Sequence, residues 1–218
     1  MRKLLLLCLL LIMLLPGQAL AAKYLTAVYG DSADEALRVV AKDAKTFRVD
    51  FMRQGQPTGE YWVMDKNNRW FVDVSDPTAP EAVDLVELLK AAEIKPEDFA
   101  DNSPITKTDR KITINGIEGL VWEVEDTFLG TKNDLVLTAD KNAVLVTKGF
   151  MQFFNDFAVV TIFFGNGPAS LVDNVNKAEK KEYGLLKYKG EELTFLDKAE
   201  YPKDFFQLPK NVKMAEIK

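Results

Sequence analysis

The sequence contains no histidine and a single cysteine, Cys8. Without histidine there is no imidazole ligand for a metal and no histidine-based triad. Cys8 lies inside an apolar leader, so removal of that leader also removes disulfides, thiolate metal sites and cysteine nucleophiles from the product. An excess of positive charge is missing as well. Lysine and arginine number 28 against 33 acidic residues, and the basic residues are scattered, so the chain carries no electrostatic footprint for nucleic acid or an anionic lipid surface. The mature chain has neither an internal repeat nor a low-complexity stretch.

Long apolar runs are confined to the first 22 residues, MRKLLLLCLLLIMLLPGQALAA. Two positive charges, an apolar run over residues 4–15, a Pro-Gly break and the small residues Ala19 and Ala21 form the three-part layout of a secretory signal peptide. The layout predicts cleavage after Ala21 or Ala22 and a periplasmic or secreted product. An uncleaved anchor is the alternative, but the run falls well short of the roughly 20 residues a spanning helix needs. Lipidation of Cys8 is disfavoured because Leu7 stands where a small residue is expected. Loss of Arg2 and Lys3 takes the formal charge from −5 to −7. Residues 23–218 are enough for a single domain that buries its own core without staples.

The chain is organised around residues 46–75, TFRVDFMRQGQPTGEYWVMDKNNRWFVDVS. Three alternating runs separated by two turn-like breaks, 54–59 and 65–68, predict an antiparallel meander. Phe47, Val49 and Phe51 share one face, opposite Arg48 and Asp50 on a polar face. Tyr61 and Val63 oppose Trp62 and Met64, so the second strand is apolar on both faces and needs cover on each side. Trp70, Val72 and Val74 line up in the third. Before the meander, residues 23–29 serve as a first strand or a tether, and Ser32 with Glu35 forms a capping box that predicts a helix ending near Ala44. After it, Thr78 and Glu81 with Pro80 predict a second helix carrying Val83, Leu85, Val86, Leu88, Leu89 and Ala92, which is the expected cover. A further helical turn is expected over 96–99.

Asn115-Gly116 between two alternating runs predicts a hairpin, and residues 133–138 and 143–149 predict another around Asp140, Lys141 and Asn142. Residues 150–164 hold six phenylalanines; the first part has helical spacing, and the β-branched 158–164 reads as a buried strand. Pro168 opens a helix, and residues 184–189 and 193–198 close the chain as strands around Gly190.

These residues resemble the bacterial lipoprotein-carrier (LolA/LolB-like) superfamily and its uncharacterised secreted relatives. The likeness rests on the meander with its glycine-bounded turn and Arg69-Trp70, and on a tail in which Tyr183-Gly184-Leu185-Leu186-Lys187-Tyr188 leads to Phe206-Gln207-Leu208-Pro209. It covers residues 45–75 and 183–213, with weaker support over 110–149. It implies a mainly β fold with covering helices (α+β), an incomplete antiparallel β-barrel wrapped around helices whose apolar interior takes acyl chains. It also implies a strand arginine that holds a closed state, at Arg48 or Arg69.

The aromatic residues have two readings. Lining a curved sheet, Phe47, Phe51, Trp62, Met64, Trp70, Val72 and Trp122 form a cavity for a lipid or other hydrophobic molecule. Filling space, they form a closed core. Catalysis has weaker support: Glu123 and Glu125 share a polar strand face, with nothing to separate two carboxyl pKa values. Gly165-Asn166-Gly167-Pro168-Ala169-Ser170 lacks the partner residue of a phosphate loop, and Asp173, Asn174 and Asn176 lack calcium-loop spacing. The sequence therefore points to an exported, non-catalytic, monomeric protein without cofactor or metal. Its partner is a hydrophobic ligand or lipoprotein acyl chain, or, if the core is filled, an envelope protein.

Overall fold

The computed structural model describes residues 21–30, 34–93, 95, 101–126, 130–160 and 168–217; the leader, the expected turn of helix at 96–99 and residues 161–167 lie outside them. Two meanders run in sequence. The first comprises β1 (Ala22–Gly30), β2 (Glu35–Asp43), β3 (Thr46–Arg53), β4 (Gln56–Asp65), β5 (Asn68–Asp73) and β6 (Glu81–Asp84). The second comprises β7 (Ile105–Ile114), β8 (Ile117–Asp126), β9 (Thr131–Thr138), β10 (Gly184–Tyr188) and β11 (Glu191–Tyr201). Antiparallel pairing of β1 with β11, from Ala22 opposite Tyr201 onward, joins them. The result is one open sheet in the order β12-β6-β5-β4-β3-β2-β1-β11-β10-β9-β8-β7, in which the short β12 (Lys213–Met214) pairs parallel to β6. The fold is mainly β with three described helices, α1 (Leu85–Ala91), α2 (Lys141–Val160) and α3 (Ala169–Glu179). No helix among the described residues is long and apolar enough to cross a membrane.

The central meander and the Asn115-Gly116 hairpin follow the residue pattern. Asn115 and Gly116 both take positive φ, 49° and 75°, which is the backbone a two-residue hairpin turn requires. Gln54 and Gly55 do the same at 51° and 74°, so the first turn is tighter than the expected 54–59 and Pro57 and Gly59 belong to β4.

Four expectations are corrected. Residues 35–43 form β2, not a helix: Leu37, Val39 and Ala41 join the inner core while Val40 is buried on the other face. Burial on both faces hides the two-residue period. The helix expected from Thr78 starts later, at Leu85, because Asp84 caps it by accepting from the Val86 and Glu87 N–H groups, and residues 81–84 pair with β5. Residues 143–149 belong to α2 rather than to a hairpin. Asp140 Oδ1 accepts from the N–H of Asn142 at 2.9 Å and of Ala143 at 3.0 Å, and Ala143, Val146, Phe150 and Phe153 are buried at helical spacing. The same helix continues through Val160, where a strand beginning at Ala158 was expected.

Helix α2 is the main cover of the inner face, packing on β1, β2, β3 and β10, with α1 beside it. Glycine permits the approach at two points. A Cβ on Gly149 would fall 2.4 Å from the Phe47 ring, and one on Gly184 of β10 would fall 2.5 Å from the Ala143 backbone. The outer face has its own small core of Val40, Tyr61, Val63 and Val72, closed by Tyr201 and Phe206. The chain after β11 therefore straps that face. It is fixed by β12, where Lys213 N–H donates to the Pro80 carbonyl at 2.9 Å and Ala215 N–H to that of Ala82 at 2.8 Å.

Candidate functional site

The proposed aromatic wall divides between the two faces. Phe47, Trp62 and Trp122 are buried in the inner core, and Phe51 and Met64 pack against it; Trp70 and Val72 lie on the outer face with the C-terminal strap. Strand parity forces this split, since Arg69 and Phe71 of β5 point inward and Trp70 and Val72 outward. Phe47 and Trp62 are completely covered, at 1% and 0% exposure, so the closed-core reading holds for them. Trp122 borders a separate concavity of about 320 Å³ with Ile105, Val175 and the ion-paired Lys107 and Glu179.

A larger cavity of about 840 Å³ opens at the Gly30 and Phe51 end of the inner face. Its apolar wall is formed by Leu37 of β2, Phe51 of β3, and Phe153, Phe154 and Phe157 of α2. The rings interlock: Phe51 lies 5.7 Å from Phe153 and 5.5 Å from Phe157, Phe153 lies 5.0 Å from Phe157, and Phe154 meets Phe153 at 5.3 Å. Such offset and edge contacts hold the rings in fixed positions around the space. Phe51 is the one member of the sequence-predicted set that lines this cavity. The three α2 phenylalanines were visible as an apolar helical run, but periodicity gave no sign of which of them face open space.

The mouth is polar and chiefly acidic. Asp34, Glu35, Glu60 and Glu191 surround it, with Arg53 as the single cation among the described lining residues. Arg53 reaches Glu35 at 3.4 Å. Glu191 opens β11 at the inner edge of the mouth, and no cation or hydrogen-bond donor among the described residues reaches its carboxylate. Burial pushes its pKa above the ordinary 4.5. The native state then holds that proton to higher pH than the unfolded chain, so stability falls as pH rises from about 4.5 through the raised value. Glu191→Gln is expected to flatten that decline and to raise stability at neutral pH. Urea unfolding across this window would refute the assignment if wild type and variant kept the same slope.

Behind the cavity, Asp156 of α2 is fully buried and ties the helix to the sheet. It accepts from Trp62 Nε1 at 2.9 Å and Gln152 Nε2 at 3.1 Å, and it is ion-paired with Arg69. Burial raises the Asp156 pKa, and Arg69, Trp62 and Gln152 counter part of that rise by binding the charged form. On the outer face, Asp50 sits between Arg38 and Arg48 at 1% exposure. The polar face expected for Arg48 and Asp50 is thus roofed by the strap. Arg48 stacks 3.5 Å from the Tyr61 ring centroid and 4.2 Å from that of Phe205.

Three of the remaining candidates have structural partners. Glu123 accepts from Arg110 and Lys132, Ser170 Oγ accepts from the Asp101 N–H, and Asn176 Oδ1 accepts from the Tyr183 N–H. Set against known proteins, the chain matches no family model, no curated protein and no solved structure.

Proposed function

We propose that this is an exported, non-catalytic protein that holds a lipid or other hydrophobic molecule between its open sheet and helix α2, in the manner of a carrier-like half-barrel. The observation that carries the reading is the phenylalanine-lined cavity. Its volume of about 840 Å³ lies within the roughly 300–1,000 Å³ typical of small-molecule sites. Its inner wall is apolar, its charged groups are gathered at the mouth, and a packed core lies behind it. The leader supports export. The filled core at Phe47 and Trp62 supports the second reading, a cell-envelope module that engages a protein and holds no small ligand.

Native mass spectrometry of protein purified from its own cell envelope separates the two. The wild-type chain is expected to retain an apolar molecule. Phe154→Glu places a carboxylate against the apolar wall and is expected to weaken that retention by about a hundredfold. Phe154 is half-buried, so the variant should fold, and circular dichroism would confirm it. A bare mass for both chains with a co-purifying protein would favour the interaction module. Trp62 is unsuitable for this test, since its indole N–H is bonded to Asp156 and its loss would disturb folding.

A further inference from the structure

We infer, building on the hydrophobic-ligand reading, that the cavity selects molecules with an apolar body and a cationic head, such as long-chain amines, over fatty acids. The body of the ligand is specified by Phe51, Phe153, Phe154 and Phe157, and its head by what stands at the mouth. Asp34, Glu60 and Glu191 make no salt bridge among the described residues, and the one cation there, Arg53, is already paired with Glu35. A molecule seated with its tail on the rings leaves its head among these carboxylates. An ammonium gains their attraction, a hydroxyl is indifferent to it, and a carboxylate is repelled.

Two further features favour a cation. Low-dielectric walls concentrate the field of like charges at a cleft mouth, so the three unpaired carboxylates act together on an entering head group. Glu191 is the member placed to contribute most, because it is less exposed than Asp34 and Glu60 and no salt bridge among the described residues engages its carboxylate. An ammonium beside it would supply the missing counter-charge.

Isothermal titration of the purified protein at neutral pH with dodecylamine, dodecanol and dodecanoate, all below their aggregation concentrations, tests this. Dodecylamine is expected to bind about tenfold more tightly than dodecanol and to displace it, with dodecanoate weakest. Glu191→Gln combined with Glu60→Gln should remove most of the amine's advantage over dodecanol, both measured in the same variant. Dodecanoate binding as tightly as the amine, an amine that fails to displace dodecanol, or a preference that survives both substitutions would overturn the inference. Alcohol binding without amine preference would overturn the charge selection alone. Failure of all three ligands to bind would remove the hydrophobic-ligand reading with it.

Discussion

Asp156→Ala is expected to lower the free energy of unfolding by about 3–5 kcal/mol, the range for removing one partner of a buried ion pair. The carboxylate has no solvent exposure, and three donors converge on it from three elements: Trp62 from β4, Arg69 from β5 and Gln152 from one turn earlier in α2. Removing it strands the indole N–H and leaves a guanidinium, 22% exposed, facing an apolar helix. The cost is thus the desolvation of the groups left behind as much as the lost attraction. Asp156→Leu combined with Arg69→Met should recover part of the stability, because an apolar pair of similar volume removes the stranded guanidinium while the Trp62 indole N–H stays without its acceptor. Urea denaturation of the single and double variants checks both. Equal losses in the two would show that Asp156 acts through something other than its partners.

Asp50→Ala is the second substitution with a large expected effect, about 3 kcal/mol. Arg38 donates to Asp50 Oδ2 through Nε at 3.0 Å and Nη2 at 2.9 Å, and Arg48 Nε donates to Oδ1 at 2.7 Å. One carboxylate therefore holds two neighbouring guanidinium groups that otherwise repel each other. The arginines are 21% and 16% exposed and can turn partly toward water, which places the cost at the low end of the range for buried pairs. The local consequence is more distinctive. Arg48 Nη1 donates to the Phe205 carbonyl at 3.0 Å, so releasing Arg48 loosens the strap over residues 202–212. Limited proteolysis is expected to cut the variant in that segment before global unfolding. Unchanged cleavage there, alongside a loss of stability, would contradict the proposed coupling.

How much of this was legible in the sequence depends on how local the determining contacts are. The β3 to β5 meander and the Asn115-Gly116 hairpin were readable because turn residues and alternation lie within a few positions of each other. Residues 35–43 carry no strand signature because Val40 fills the outer face while Leu37, Val39 and Ala41 fill the inner one, erasing the alternation that marks a strand. Residues 143–149 carry a false strand signature: Val144, Val146 and Thr147 are β-branched, yet the cap at Asp140 and the helical burial of Val146, Thr147 and Phe150 prevail over their strand preference.

The site was less legible than the fold. Asp156 interrupts an apolar helical run, a signal in principle, but its meaning depends on Arg69, which is 87 positions away. The outer core depended on a tail whose docking no local pattern announces. Phe47 and Phe154 look alike in the sequence; one is pressed under Gly149 and the other borders open space. Burial leaves a periodic trace, and a void leaves none.

Mapping where an apolar ligand lies addresses the cavity most directly. A diazirine-bearing alkyl alcohol, irradiated with the folded protein and located by peptide mass spectrometry, is expected to label Phe51, Phe154 and Phe157, with competition by unmodified dodecanol. Labelling concentrated beside Trp122, on the strap over the outer face, or nowhere above background would contradict a binding site between the open sheet and α2.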